Sequence, residues 1–214
     1  MNILKEAIKK TIETYNKFAK IYADKHHEKL LQFQLNKFVS FLPGKKVLDI
    51  GCGSGRDVSY FLEEGLDALG IDISDGLLAE AKKRVPKGSF KKMDMLNLDF
   101  SNDSFDGLWV LDSWVHLPKK EAAKVLLNFA KILKKDGVLY IAVKEGEGET
   151  FIENQGSFKG EEYKNNPRFF AFYKQVELEE LLKSVGFKVL EVINDETDSE
   201  GRHWIEIFAK KEEI

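Results

Sequence analysis

The 214-residue sequence predicts an α/β fold, a doubly wound and mostly parallel sheet. Three observations predict it. Short β-branched and apolar runs alternate with amphipathic helical patterns between residues 45 and 144. The connections between them are short. The last two strand-like runs, 187–193 and 203–210, are joined by so short a polar stretch that they must be antiparallel.

Two helical patterns come first. Leu4, Ile8, Ile12, Tyr15, Phe18 and Tyr22 keep helical spacing, as do Leu31, Leu35, Phe38 and Leu42, and Pro43-Gly44 ends the second. The period then changes. KKVLDIG (45–51) reads as a buried strand, 57–64 as a helix closed by Gly65, and LDALGIDIS (66–74) as a second strand. A helix at 75–84 stops before Pro86. SFKKMDM (89–95) and SFDGLWVLDS (104–113) read as the third and fourth strands. Residues 119–135 form an amphipathic helix with apolar positions at 122, 125, 126, 129, 132 and 133, and 136–144 a fifth strand. Residues 145–172 mix glycines, acids and aromatics with no period, which predicts a long functional or disordered loop. A helix at 175–185, the two closing strands and the polar turn NDETDSEGR complete the chain.

The totals bound the function. Hydrophobic residues make up 43% and charged residues 32%, which suits one globular domain with a full core. A net charge of −3 argues against broad electrostatic binding of nucleic acid. The lone Cys52 can form no intramolecular disulfide, so a reducing, cytoplasmic compartment is expected. No stretch approaches the roughly 20 apolar residues that span a bilayer, and the N-terminus lacks the apolar segment of a signal peptide. No Cys/His cluster has zinc spacing, so no metal is expected.

The most informative stretch is VLDIGCGSGRD (47–57). A strand that ends in glycines and opens a helix is built to hold a ligand: glycine lets the backbone come close and adopt positive φ, and the helix start offers free N–H groups. Gly51, Gly53 and Gly55 read G-x-G-x-G, with Arg56 where a dinucleotide fingerprint needs its third glycine. Asp72, at the end of the second strand, suits both hydroxyls of a ribose. Asp94 suits an adenine amino group and Met95 the face of the ring. Each acid also reads as a helix cap or solvated turn.

These stretches resemble the class I S-adenosylmethionine-dependent methyltransferases. LDIGCGSGRD, IDIS, MDML, FDGLWVLDSWVHLP and LKKDGVLYIAVK match the five successive family motifs over about 46–144. KEGEGE, RFFAFY, VGFKVLEV and RHWIEIFAKK resemble a subgroup of small-molecule type with mostly unassigned substrates, and TYNKFAKIYADKH resembles its cofactor-closing helix. The resemblance implies a Rossmann-like, seven-stranded sheet with the last strand antiparallel. It implies S-adenosyl-L-methionine as cofactor and S-adenosyl-L-homocysteine as product. Asp49, Gly51, Gly53 and Gly55 would shape the methionine end, and Arg56 would meet its carboxylate. Asp72 would bind the ribose with Ile73 against adenine. Asp94 and Met95 would hold the adenine rim, and Leu111 and Asp112 would lie near the methionine portion.

Methyl transfer from a sulfonium needs alignment and dryness more than a catalytic group. Candidates for one are His116, which also reads as a substrate-side residue or a loop brace, and Tyr22, which also reads as a lid residue binding the cofactor or as core. Phe169, Phe170 and Tyr173 are candidate substrate-side residues, or loop anchors. The expected organisation is one domain over 1–214: a helical lid (1–43), a cofactor-binding core (44–144), a substrate-side insert (145–174) and a closing helix and strand pair (175–214). The acceptor is expected to be a small molecule entering between lid and insert. A tRNA or protein methyltransferase and a non-catalytic cofactor-binding module are the alternatives. The oligomeric state is not legible.

Overall fold

The structure, a computed structural model, describes residues 3–194, 197, 201 and 203–212. Seven strands form one sheet: β1 (Lys46–Ile50), β2 (Asp67–Asp72), β3 (Ser89–Lys92), β4 (Phe105–Leu111), β5 (Leu133–Lys144), β8 (Phe187–Ile193) and β9 (Trp204–Lys211). A separate pair, β6 (Glu149–Ile152) and β7 (Arg168–Ala171), lies between β5 and β8 in the chain. The sheet order is β3-β2-β1-β4-β5-β9-β8. Pairings β1–β2, β1–β4, β2–β3 and β4–β5 are parallel, and β9 runs antiparallel to both β5 and β8. The expected fold class is therefore observed. Of the expected turn between β8 and β9, residues 195, 196, 198–200 and 202 lie outside the described residues.

Alternation along the central strands explains the layers. Trp109 of β4 belongs to one apolar cluster, while its neighbours Leu108 and Val110 belong to the other. On β5, Val138, Tyr140 and Ala142 face one side and Leu139, Ile141 and Val143 the other. Helices α3 (Gln32–Phe41) and α4 (Arg56–Glu63) cover the first face through Leu35, Phe38, Val58 and Phe61. Helices α6 (Lys119–Ile132) and α7 (Gln175–Ser184) cover the second through Val125, Phe129, Leu178 and Leu182. Each such side chain, fully buried, contributes about 1.5–3 kcal/mol. Helix α5 (Asp75–Arg84) follows β2 and is capped by Ser74, whose Oγ accepts from Leu77 N–H at 3.1 Å.

Three expectations need correction. The first helical pattern is two helices, α1 (Ile3–Lys17) and α2 (Ala19–His26), interrupted at Phe18, whose ring is buried against Phe158 and Tyr163. Leu133 belongs to β5 rather than to the preceding helix, because it pairs with Phe105 and the strand starts there. Residues 145–172 are not an aperiodic loop. They contain the antiparallel pair β6–β7, with Phe151 opposite Phe169, and two single 3₁₀ turns. Strands of four residues so far apart in sequence leave too little alternation to read.

Candidate functional site

The glycine loop closes the C-terminal end of β1. Gly51, Gly53 and Gly55 have φ of 80°, 53° and 80°, a region that glycine enters without strain. A Cβ on Gly51 would lie 2.2 Å from Ser113 Cβ. Gly53 faces the ring of Tyr22, 3.7 Å from where its Cβ would stand, so any side chain there would enter the space under that ring. Gly55 instead packs on Phe90 of β3 and opens α4.

Asp72 meets this loop from the adjacent strand. Its carboxylate is buried, accepting from Gly53 N–H at 2.9 Å and Ser74 N–H at 2.8 Å. Burial raises its pKa, and those amides oppose the rise. Asp49 is also buried, with Oδ2 lacking any hydrogen-bond partner; burial and then the charge of Asp57 push its pKa well up. Arg56 does not point freely at the loop. Its Nε and Nη2 donate to the two oxygens of Asp57 at 2.6 and 2.8 Å, and Trp109 Nε1–H adds a third bond to Asp57 at 2.9 Å. Cys52 is buried, and burial followed by the Asp49 charge raises its thiol pKa, the opposite of what an activated nucleophile needs.

Two cavities share a floor of Gly51, Gly53, Leu111 and Asp112, and Tyr22 stands between them. The first, about 110 Å³, has Asp72, Ile73, Asp94 and Met95 on one wall. Thr11, Ile12 and Tyr15 of α1 line the opposite side, with His116 beside them. The second, about 260 Å³, is lined by Asp49, Arg56 and Asp57 near the loop. His26, Lys29 and Leu31 on one side and Trp204 and Glu206 of β9 on the other complete it. The structure thus brings together all twelve expected cofactor residues except Gly55, which lies behind the loop. Asp94 keeps both of its readings: it lines the first cavity, and it caps the 3₁₀ turn 95–97 by accepting from Leu96 N–H at 2.9 Å. Asp112 holds φ of 52° at the end of β4.

His116 is buried in a chain of polar contacts. Its Nδ1 lies 2.6 Å from the Phe169 carbonyl, which can only accept, so Nδ1 carries the proton and Nε2 accepts from Tyr15 O–H at 2.9 Å. Arg168 donates to the same Tyr15 oxygen at 3.3 Å. Burial, then the Arg168 charge, lowers the His116 pKa to about 3. Burial likewise raises that of Tyr22, and its ring stacks on His26, with ring centroids 4.6 Å apart.

The aromatic residues of the insert depart from expectation. Phe169, Phe170 and Tyr173 are buried in the second-face core and line neither cavity. β7 is pinned to α1, where Phe169 N–H donates to Thr11 Oγ1 at 2.9 Å and Thr14 Oγ1 donates to the Pro167 carbonyl at 3.0 Å. Their rings are therefore used to anchor the insert. Missed in sequence were Thr11, Ile12 and Asn16, whose Oδ1 accepts from Ser74 Oγ and Gly76 N–H at 2.7 and 2.9 Å. Trp204 and Glu206 were missed as well; nothing local marks a strand residue as a cavity wall. Among the described residues there is no cluster of three or more His, Cys, Asp or Glu that could hold a metal, and no helix long and apolar enough to cross a membrane.

Comparison with known proteins finds methyltransferases. A family model described as a methyltransferase domain matches residues 47–137. The chain is 32% identical over 116 residues to the methyltransferase GfsG of Streptomyces halstedii, covering 51% of this chain and 41% of that protein. It is 30% identical over 162 residues to an O-methyltransferase of Pyrenophora dematioidea, covering 71% and 57%. The chain thus spans about half the length of these curated relatives. A Burkholderia thailandensis 1,6-didemethyltoxoflavin-N1-methyltransferase, solved with 1,6-didemethyltoxoflavin and S-adenosylhomocysteine, superposes with a TM-score of 0.70 at 22% identity, over 94% of this chain and 85% of that one.

Proposed function

We propose, from the premise that this chain carries a class I S-adenosylmethionine-dependent methyltransferase domain, that it transfers a methyl group from S-adenosyl-L-methionine to a small-molecule acceptor. The observation that carries the reading is the Asp72 carboxylate, buried beside the first cavity and hydrogen-bonded to the glycine loop. The residues present fit the cofactor. Asp72 would accept from ribose hydroxyls, Ile73 and Met95 would flank adenine, and Asp94 would meet its amino group. The orphaned Asp49 oxygen and the side-chain-free surface at Gly53 suit the methionine end. When bound, S-adenosyl-L-methionine supplies an activated methyl on a sulfonium and leaves as S-adenosyl-L-homocysteine.

The protein's own contribution is orientation and exclusion of water. Residues 1–43 act as the lid, since Thr11, Ile12, Tyr15 and Tyr22 roof the cavities. Residues 145–174 hold that lid in place through Thr11, Thr14 and Tyr15. His116, neutral and engaged at both nitrogens, is a positioning residue. Arg56 reaches a carboxylate only by sharing itself with Asp57. A small acceptor is supported by the similarity to the 1,6-didemethyltoxoflavin-N1-methyltransferase, solved with that small molecule bound, and by a net charge of −3 that opposes polyanions. A cytoplasmic setting is supported by the single, buried and unpaired Cys52.

The test is a thermal-shift panel with S-adenosylmethionine, S-adenosylhomocysteine and NADH on wild type and Asp72→Ala. At one hundred times Kd, a ligand that binds only the native state adds about 2.7 kcal/mol of stability. Both sulfur nucleosides should raise the Tm of wild type and fail to raise that of Asp72→Ala. Stabilisation by NADH alone rejects the reading.

A further inference from the structure

The second cavity is more than twice the volume of the first, about 260 against 110 Å³, although it faces the smaller, amino-acid end of the proposed cofactor. Away from the loop it is lined by His26, Leu31 and the β9 pair Trp204 and Glu206. Trp204 and Glu206 share one face of β9, two residues apart. Glu206 is 2% exposed, and its carboxylate is fixed: Tyr140 O–H donates to Oε2 at 2.9 Å and the Gln34 amide to Oε1 at 3.4 Å. Trp204 is half-buried and offers a ring to the same space.

The charge of this cavity is lopsided. Arg56 and Asp57, tied in a bidentate pair, offset each other, and burial holds the pKa of the Asp49 carboxyl well up, which leaves Asp112 and Glu206 against Lys29 among the lining residues. Lys29 is exposed at the rim. His26 adds no charge at neutral pH, because burial and then Lys29 hold its pKa near 4. Lys144 lies 5.2 Å from the Trp204 ring centroid but is not among the lining residues. A carboxylate buried beside a cavity favours a cationic donor and strongly disfavours an anion.

We propose that this second cavity is the acceptor site, and that it takes a small molecule bearing an aromatic ring and an ammonium group, the ring against Trp204 and the ammonium paired with Glu206; that nitrogen has no lone pair and serves to bind, and the methyl goes to another atom of the acceptor. The proposal rests on the methyl-transfer reading and narrows it. It also moves the acceptor away from the insert, whose Phe169, Phe170 and Tyr173 are buried in the core. Glu206 acts here as a specificity residue.

Trp204 provides the readout. Trp109 and Trp114 are fully buried, so of the three indoles Trp204 is the one on a cavity wall. In ¹⁵N-labelled protein its indole N–H signal is identified by its loss in Trp204→Phe. The protein is saturated with S-adenosylhomocysteine, with binding followed by calorimetry, and titrated with phenethylamine or with phenylacetate. Phenethylamine should shift the Trp204 signal and phenylacetate should not. Glu206→Gln should weaken the phenethylamine response at least tenfold while leaving S-adenosylhomocysteine affinity within twofold. The amine–acid contrast in wild type stands even where Glu206→Gln fails to fold. An equal response to phenylacetate, or none to phenethylamine, overturns the inference alone. A phenethylamine response undiminished in a folded Glu206→Gln also overturns it alone. Failure of S-adenosylhomocysteine to bind overturns the methyl-transfer reading and this inference with it.

Discussion

The floor and the roof of the site are built in opposite ways. The floor is the end of β1, the glycine loop and the end of β2, joined by bonds between neighbouring strands, such as Gly51 N–H to the Ile71 carbonyl at 2.8 Å and Gly53 N–H to Asp72. The roof is α1 and α2, held over the floor by groups from far along the chain: the side chains of Ser74, His116 and Arg168 and the backbone of Pro167 and Phe169. Backbone geometry makes the floor, and a handful of polar contacts plus the Tyr15, Phe18, Phe158 and Tyr163 ring cluster make the roof. The difference teaches that one site can hold a rigid half and a detachable half. Structure held by few contacts opens at lower free energy than structure held by a sheet.

The sharpest way to break this contrast is to strain the floor. Gly51→Ala places a Cβ 2.2 Å from Ser113 Cβ at a positive φ and should cost about 3 kcal/mol in urea denaturation. Gly65→Ala, also at positive φ but with nothing within 4 Å, should cost only about 1 kcal/mol. Equal costs would show that close approach at the loop contributes nothing.

The roof should yield more easily. Tyr15→Phe removes the donor to His116 Nε2 and the acceptor for Arg168, leaving both buried groups short of a partner, for about 1–2 kcal/mol. Hydrogen exchange should then quicken in α1 and stay unchanged in β1 and β2. Uniform acceleration would mean that floor and roof open as one unit.

The smallest effect is the pH dependence of that latch. The folded His116 pKa lies near 3, below the ordinary 6.5, so between those values the unfolded chain binds a proton that the native chain does not. Its stabilising contribution is therefore full above pH 6.5 and declines as pH falls towards 3. Relative to His116→Gln, wild type should lose less than about 1 kcal/mol between pH 7 and 6. The Tm difference between the two proteins, followed across that range, checks the sign. It also cancels the opposing contributions of Asp49 and Asp72, whose pKa values are raised.

Much of the floor was legible because its requirements are local. Gly51 and Gly53 announce positive φ, and Asp72 announces itself by ending the next strand. The antiparallel pairing of β8 with β9 followed from the short link between them, whereas the place of β9 between β5 and β8 did not. The role of Phe169, Phe170 and Tyr173 was not legible, because an aromatic run on a β pair looks the same whether it lines a cavity or fills a core. Arg56 could be placed at the loop but not oriented, since its partner Asp57 also answers to Trp109 on a different strand. Glu206 gave no signal at all: its meaning comes from Tyr140 and Gln34, far away in sequence.

By itself, then, the sequence determined the alternating β/α order, the glycine loop and the acid facing it, because periodicity and backbone conformation are written in neighbouring residues. Only the tertiary structure decided which helices roof the cavities, that the insert is an anchor, and that β9 supplies the wall of the second one. Those outcomes depend on contacts between segments more than a hundred residues apart, such as Tyr15 with His116 and Gln34 with Glu206, whose energies exist only once the chain has packed.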